Sequence, residues 1–390
     1  MQDYAQESLA LHRHLRGKIA LTGKLPITTT DDLSRAYTPG VAAPCEAIAA
    51  DPNAAKDLTI KSNAVAVVSD GSAVLGLGNI GALAAIPVME GKALLFKQYA
   101  DIDAWPLCLD TQDSDEIVET VRRLAPVFGG INLEDIAAPR CFEIEARLQN
   151  LGIPVFHDDQ HGTAIVLLAG MLNAARVTGR KPANLKVVIN GAGAAGTAIA
   201  SLLRCVDFDP VVCTPVADVV VCDSKGAIYR GREGLSEEKQ ALLHYTNRDN
   251  RVGTLHEVLA DADVFVGVSK GNLLTAGDIQ LMAPDPIVLA MANPTPEIMP
   301  DEAYLGGAAV VGTGRSDFPN QVNNVLAFPG IFRGALDAGA AQITAAMKIA
   351  AAHALAEAVP QPRPKKILPS PLDKTVPPLV AKAVAKAAKA

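Results

Sequence analysis

Two pairs of adjacent carboxylates, Glu134-Asp135 in INLEDIAAP and Asp158-Asp159 in FHDDQHG, carry the residue types best suited to chemistry in this chain. Adjacent carboxylates repel, so a fold that brings the pairs together needs a cation or Lys/Arg side chains to offset their charge. All-oxygen ligands with open positions suit Mg²⁺ or Mn²⁺ better than zinc. Taken separately, each pair is favoured by its spacing as a helix N-cap or a solvated turn. His157 and His161 have the i,i+4 spacing of a zinc site, but Gly162 and the missing glutamate base argue against one. Tyr37 in AYTPGVA and Lys92 in MEGKALLF become useful proton donors or acceptors only if burial and neighbours move their pKa values toward neutrality. Asn293 in ANPTP and Asn324 in NQVNNVLAFPG complete the set of polar candidates.

A second kind of site is written in glycine. The pattern G-x-G-x-x-G occurs at Gly76–Gly81 and again at Gly191-Ala192-Gly193-Ala194-Ala195-Gly196. The pattern binds a dinucleotide only between a strand and a helix. The first copy meets Pro87 six residues later, which allows a turn and a half of helix at most, so it reads as a tight turn packing strand on helix. The second leads into TAIASLLRCV, a proline-free helix, and Ala194 and Ala195 let backbone N–H groups approach a pyrophosphate. The acid expected at the end of the next strand is Asp223, 32 positions beyond Gly191 against the usual ~20, so an inserted loop around DFDPVVCTP is required. A carboxylate there accepts from the ribose hydroxyls of NAD and repels the 2′-phosphate of NADP, with Lys225 acting against that preference. NAD is slightly favoured.

The elements that must position these groups follow from the pattern. A polar-flanked helix and a loop occupy the first 30 residues, and an alanine-rich helix runs from the Thr38-Pro39-Gly40 turn toward Pro52. NAVAVVS reads as a strand, AVLGLG as a second strand signature, and ALLFKQYADIDAWPLCLD contains another strand. DEIVETVRRLAPVF has Ile117, Val118, Val121 and Leu124 on one helical face. From Pro182, strands in LKVVIN, VADVVVCDSKG, LHEVLADADVFVGVSK and PDPIVLAMANPTP alternate with helices, which argues for a doubly wound parallel sheet. The terminal PPLVAKAVAKAAKA reads as a solvated helix. The fold class is therefore α/β: an N-terminal α/β domain over residues 1–163, then a Rossmann-type NAD(P)-binding domain over 164–390, with the last helices returning to pack on the first.

Composition narrows the classes. With 390 residues, 49% of them hydrophobic, the chain can bury a sizeable core. A net charge of −7 and an aromatic content of 4% supply neither a basic field nor stacking platforms for nucleic acid. No apolar stretch approaches the roughly 20 residues of a membrane span, and the Asp3- and Glu7-bearing start is a poor signal peptide. No C-x-x-C occurs, so neither a zinc ribbon nor a thioredoxin-type motif is present, and a soluble, cytoplasmic protein is expected, with its six cysteines as the buried free thiols of a long chain without a leader.

Together the motifs AYTPGVAAPC, VVSDGSAVLGLGNIGALAAIPVMEGKALLFK, LEDI, FHDDQHGTAIV, NGAGAAG, MANPTPEI and SDFPNQVNNVLAFPGIFRGALD resemble the malic enzymes of the compact bacterial type, in family order from about residue 14 to 373. The resemblance implies oxidative decarboxylation of (S)-malate to pyruvate and CO₂, reduction of NAD(P)⁺, dependence on Mg²⁺ or Mn²⁺, and a homodimer. It implies Glu134, Asp135 and Asp159 as metal ligands and Lys92 as general base for the 2-hydroxyl, with Asp158 setting its charge. Tyr37 is implied as the acid that protonates C3, and Asn293 and Asn324 as contacts to substrate and nicotinamide. The arginine that binds substrate carboxylate in the larger animal enzymes is replaced by Ala73, so the carboxylate clamp must lie elsewhere. The same parts suit malolactic chemistry, with NAD⁺ retained and lactate released. A silent nucleotide- or metabolite-sensing module would not need Tyr37, Lys92 and three ligands.

Overall fold

Short β-branched runs that alternate with helices build two parallel sheets. The computed structural model describes residues 4–74 and 76–389. The first sheet has four strands, β1 (Ala64–Ser69), β2 (Asp103–Cys108), β3 (Gly130–Leu133) and β4 (Val155–His157), in the order β2-β1-β3-β4, all parallel. The second has six, β5 (Lys186–Asn190), β6 (Asp218–Asp223), β7 (Gly226–Ala227), β8 (Val264–Gly267), β9 (Ile287–Ala290) and β10 (Val310–Thr313), in the order β10-β9-β8-β5-β6-β7. Only the short β7 runs antiparallel. Because parallel strands need crossovers, every strand of a sheet delivers its carboxyl end to one edge, where α/β folds place their ligands.

One helix, Asp158–Val177, joins the two halves. It starts where β4 ends and is buried along most of its length. It contributes Ile165, Leu168 and Met171 to a core that also holds Val65 and Phe156 of the first sheet and Val187 and Ile189 of the second. The expected division at residues 163/164 falls inside this helix.

Several elements differ from the sequence reading. AVLGLG forms turns with one isolated bridge between Val74 and Gly78 and no strand there, Leu75 lying outside the described residues. Helix Gly81–Ala100 continues through Pro87. The proline leaves the Leu83 carbonyl without its helical partner, but Leu83 is 84% exposed and its carbonyl is free to meet water. Burial of Met89, Ala93 and Phe96 further along offsets the ~3 kcal/mol a mid-helix proline costs. The terminal helix Val376–Ala387 is packed, not solvated. Its Val380 and Val384 sit over Gly330 and Gly334 of helix Phe328–Asp337, where an added Cβ would lie 2.7 and 2.8 Å from the valine Cβ atoms. Helix Phe328–Asp337 in turn packs on helix Gly81–Ala100, Phe328 and Phe332 standing edge-on to Phe96.

The cysteine expectation is also corrected. Cys205 and Cys213 are disulfide-bonded within the loop between helix Ala194–Leu203 and β6, and Cys45 is exposed; only Cys141 and Cys222 are buried thiols. That loop is the insertion required ahead of Asp223. Among the described residues, no helix is long and apolar enough to cross a membrane.

Candidate active site

β3 and β4 end side by side, so the residues that follow them meet. Glu134 N donates to Val68 O of β1, which holds the chain in line for one more residue. Asp135 then takes a left-handed φ of 54°, a conformation asparagine and aspartate tolerate better than most side chains, and turns its carboxyl toward β4. Its backbone N–H donates to Asp159 Oδ2 at 2.8 Å. Asp158 and Asp159 occupy the first turn of helix Asp158–Val177, where the positive end of the helix dipole favours acids. The result is a cluster in which Glu134, Asp135 and Asp159 each offer a carboxylate oxygen within 4.8 Å of the others.

Lys92 enters from helix Gly81–Ala100. Its Nζ donates to Asp158 Oδ2 at 2.6 Å and lies 2.8 Å from Glu134 Oε1, with the Phe328 ring centroid 4.2 Å away. Asn132 Nδ2 donates to the other Glu134 oxygen at 2.8 Å. Gly162 is required here: a Cβ would sit 1.8 Å from Asp158 Oδ1 and 3.2 Å from the Asn324 Cβ, so the absent side chain makes room for Asp158 and brings Asn324 beside it.

Three buried carboxylates and a fourth, Asp159, partly exposed, against one ammonium leave a surplus of negative charge. Burial, together with the neighbouring Asp159 and Glu134, pushes the Asp135 carboxyl up to about 9. Burial works to lower Lys92, but Asp158, Glu134 and Asp159 outweigh it and hold the ammonium well above the usual lysine range. Asp135 Oδ2 and Asp158 Oδ1 are buried without hydrogen-bond partners. An orphaned carboxylate oxygen in an all-oxygen, net-negative pocket fits a hard divalent cation. Behind the cluster, Glu145 accepts from His157 N, Gln160 Nε2 and the His161 ring. His161 is thereby engaged, and burial keeps both His157 and His161 below the usual imidazole range.

In the second sheet the carboxyl ends of β5, β6, β9 and β10 lie on one edge. Gly191 N donates to Cys222 O, pinning the glycine turn between β5 and β6. A Cβ on Gly196 would lie 1.7 Å from Gly191 O, so the third glycine lets the helix close on the turn. At Gly193 a Cβ would meet nothing within 4 Å, which leaves its surroundings open for a phosphate. Ala194 and Ala195 start helix Ala194–Leu203, and Ala194 packs against the core of the first sheet. The first glycine copy is a turn: Ile80 N and Gly81 N both donate to Gly71 O, and Gly76, Gly78 and Gly81 all have positive φ. Its Gly76 faces the Asn293 carbonyl after β9, where an added Cβ would be 2.7 Å away, and so closes the cleft between the two sheets.

Three findings depart from what the residue pattern suggests. Tyr37 caps helix Thr30–Ala36 with a side chain 66% exposed, and no hydrogen bond joins its hydroxyl to Lys92 or any other described residue. Helices Tyr4–Leu15, Thr30–Ala36, Ala42–Ala50 and Ala55–Leu58 bury no residue at all. Asp223 does stand beside the Gly191 turn, but its carboxylate is already held by Arg232 and Lys239, each at 2.7 Å, which removes the charge argument for NAD over NADP. Arg140, unremarked in the sequence, donates to Asp70 Oδ2 at 2.7 Å and Ser72 Oγ at 3.0 Å and has a buried, unpartnered Nε. Its guanidinium thus stands beside Ala73, whose N–H donates to Asp135 O. Only the short-range APR sequence after LEDI could have flagged it.

A parallel sheet ending in an acid cluster, facing a doubly wound sheet with a glycine-rich turn, defines a nicotinamide-nucleotide oxidoreductase whose first sheet ends in a cluster that fits a divalent cation. The model of the malic enzyme N-terminal domain matches residues 16–149, and that of the malic enzyme NAD-binding domain matches residues 160–389. The chain belongs to the malic enzyme family. It is 57% identical over 387 residues to the bifunctional malic/malolactic enzyme of Bacillus subtilis (strain 168), covering 98% of this chain and 92% of that one. It is 52% identical over 404 residues to the NADP-dependent malic enzyme of Rhizobium meliloti (strain 1021), covering 98% of this chain and 52% of the relative's length. The crystal structure of the NAD-dependent malic enzyme of Thermotoga maritima superposes with a TM-score of 0.92 at 46% identity, covering 97% of this chain and 98% of that one.

Proposed function

We infer that this chain oxidatively decarboxylates (S)-malate to pyruvate and CO₂ with reduction of NAD(P)⁺. The observation that carries the reading is the convergence of Lys92 with Glu134, Asp135 and Asp159 at the carboxyl edge of the first sheet, with Asn324 beside Asp158 and the Asn293 loop against the Gly76 turn. Glu134, Asp135 and Asp159 are the residues that would hold Mg²⁺ or Mn²⁺. When bound, such an ion polarises the substrate oxygen at C2 as a Lewis acid, and NAD(P)⁺ accepts the hydride. For Lys92 Nζ to take the proton of the 2-hydroxyl, its own proton must first leave: a cation held by Glu134, Asp135 and Asp159 would offset the carboxylates that keep it there, and Asp158, at 2.6 Å, orients the amine and is placed to accept that proton. Asn293 and Asn324 orient substrate and nicotinamide, and Arg140 supplies the carboxylate clamp missing at position 73. Closure of the cleft excludes water from the developing carbonyl.

Tyr37 is read as the group that returns a proton to C3. It lies on the same N-terminal segment whose apolar residues stand in solvent, Leu21 being 81% exposed and Leu25 and Ile27 each 57%. Monomers rarely leave so many large apolar side chains uncovered along one segment. We therefore read the enzyme as a homodimer in which a second copy covers this segment, and we place it in the cytoplasm. Malate with NAD⁺ or NADP⁺ and Mn²⁺ should raise absorbance at 340 nm and yield pyruvate. No reduction of either nucleotide and no consumption of malate, with either Mg²⁺ or Mn²⁺, would sink the reading. The bifunctional name of the Bacillus subtilis relative favours one variant of it, release of lactate with the nucleotide re-oxidised, which consumes malate without a net change at 340 nm.

A further inference from the structure

At the end of β6 the charges are arranged for an anion. Asp223 Oδ1 accepts from Lys225 N at 2.9 Å and from Arg232 Nη2 at 2.7 Å, and Oδ2 accepts from Lys239 Nζ at 2.7 Å. A carboxylate offers about four lone-pair positions, so most of its accepting capacity is already used. Arg232 is fixed in place: its Nη1 also donates to Gly226 O and Ala227 O, and its side chain is 10% exposed. Lys239, on helix Glu237–Leu242, is 32% exposed and has N–H groups left to donate. One acid and two cations leave this trio with one positive charge, next to the turn where Gly191 N meets Cys222 O.

In a doubly wound fold the adenine ribose lies at this strand end. We propose that Arg232 and Lys239 make this corner a 2′-phosphate subsite, so that the chain takes NADP⁺ in preference to NAD⁺. Arg232 cancels the charge of Asp223 from below, and Lys239 is the contact to the phosphate. The acid that would repel NADP in isolation becomes the anchor that orients its own two counter-charges. The cations come from positions 9 and 16 residues beyond Asp223, on separate elements, so no local motif announces them.

The inference rests on the dinucleotide reading of the Gly191 turn, and the test separates the two. Calorimetry on the full chain with 2′,5′-ADP and 5′-AMP reads the 2′-phosphate directly, without turnover. Wild type should bind 2′,5′-ADP about tenfold tighter than 5′-AMP, the scale of a charge-assisted hydrogen bond. Lys239→Ala should bring that ratio to about one, Lys239→Glu should take it below one, and Lys239→Arg should keep it. The kcat/KM ratio for NADP⁺ over NAD⁺ should move in the same order. A wild type that binds 5′-AMP but disfavours 2′,5′-ADP overturns the subsite alone, as does a ratio unmoved by Lys239→Glu. A wild type that binds neither ligand overturns the nucleotide site and the subsite with it.

Discussion

At the ends of β3 and β4, four carboxylates surround one lysine; at the end of β6, two cations surround one carboxylate. Both clusters sit on the carboxyl edge of a parallel sheet, and the topology that creates them is the same. What differs is the balance of charge and the satisfaction of the polar atoms. The first is net negative with orphaned oxygens on Asp135 and Asp158, whereas every Asp223 oxygen is engaged. Backbone topology therefore chooses where a ligand binds, and the surplus charge chooses its sign.

The largest expected effect comes from removing the one cation in the acid cluster. Lys92→Ala should lower kcat by about 10³-fold, in the range of a lost general base, while malate and nucleotide still bind by calorimetry. Turnover near that of wild type in this variant would take lysine out of the mechanism. Next is a change that makes the two clusters more alike. Asp135→Asn removes a carboxylate that could ionise onto a bound cation, so Mn²⁺ affinity should fall by about 10²-fold. The metal-free protein should gain stability, since this carboxyl is held up at about 9 by burial and like charge. A rise in Tm of about 2 °C or more is the expected reading, and a metal-free Tm below wild type would show that Asp135 is a net stabiliser.

A third carboxylate sharpens the contrast. Glu145 lies directly behind the acid cluster, yet it is fully partnered. Burial works to raise it, but His161 and the nearby Lys348 and His157 hold it down to about 2, against 4.5 in the unfolded chain. A depressed folded value means the unfolded chain binds more protons between these two values, so stability rises with pH across that window. The stabilisation is present in full above pH 4.5 and is lost as pH falls toward 2. Glu145→Gln should remove roughly 2 kcal/mol at pH 6 and much less at pH 3, measured by urea unfolding at each pH. An equal loss at both would assign the effect to packing.

The acid cluster was legible in the sequence because its members follow directly on strand ends: INLED and VFHDD each place their acids within two residues of a strand. The glycine turn was legible for the same reason, with KVVIN ahead of it and a proline-free helix after it. What could not be read depended on partners distant in sequence. The counter-charges of Asp223, the position of Arg140 beside Ala73 and the bonding of Cys205 to Cys213 are all products of tertiary placement. Pro87 misled because local propensity says nothing of the apolar face further along the same helix, and the alanine- and lysine-rich terminus misled because its valine stripe finds a glycine groove. Tyr37 shows the opposite case, a residue conspicuous in its motif whose surroundings a single chain leaves open to solvent.

The smallest effect tests what the lysines of the two clusters rest on. Lys92 Nζ lies 4.2 Å from the centroid of Phe328, which stands edge-on to Phe96 at 4.7 Å. Among the described residues no ring lies over Lys239 in this way. The aromatic face attracts the ammonium by about 0.5–2 kcal/mol when the pair is desolvated, and it walls Nζ off from water. Phe328→Leu keeps an apolar side chain in place and removes the ring face, so kcat/KM for malate should fall by about three- to tenfold with the helix still formed. Restoring a ring with Phe328→Tyr should recover most of the loss if the ring face is the cause. A loss equal for leucine and tyrosine would point to the packing against Phe96, and the aromatic wall would then be a structural feature of the helix pair with no hold on Lys92.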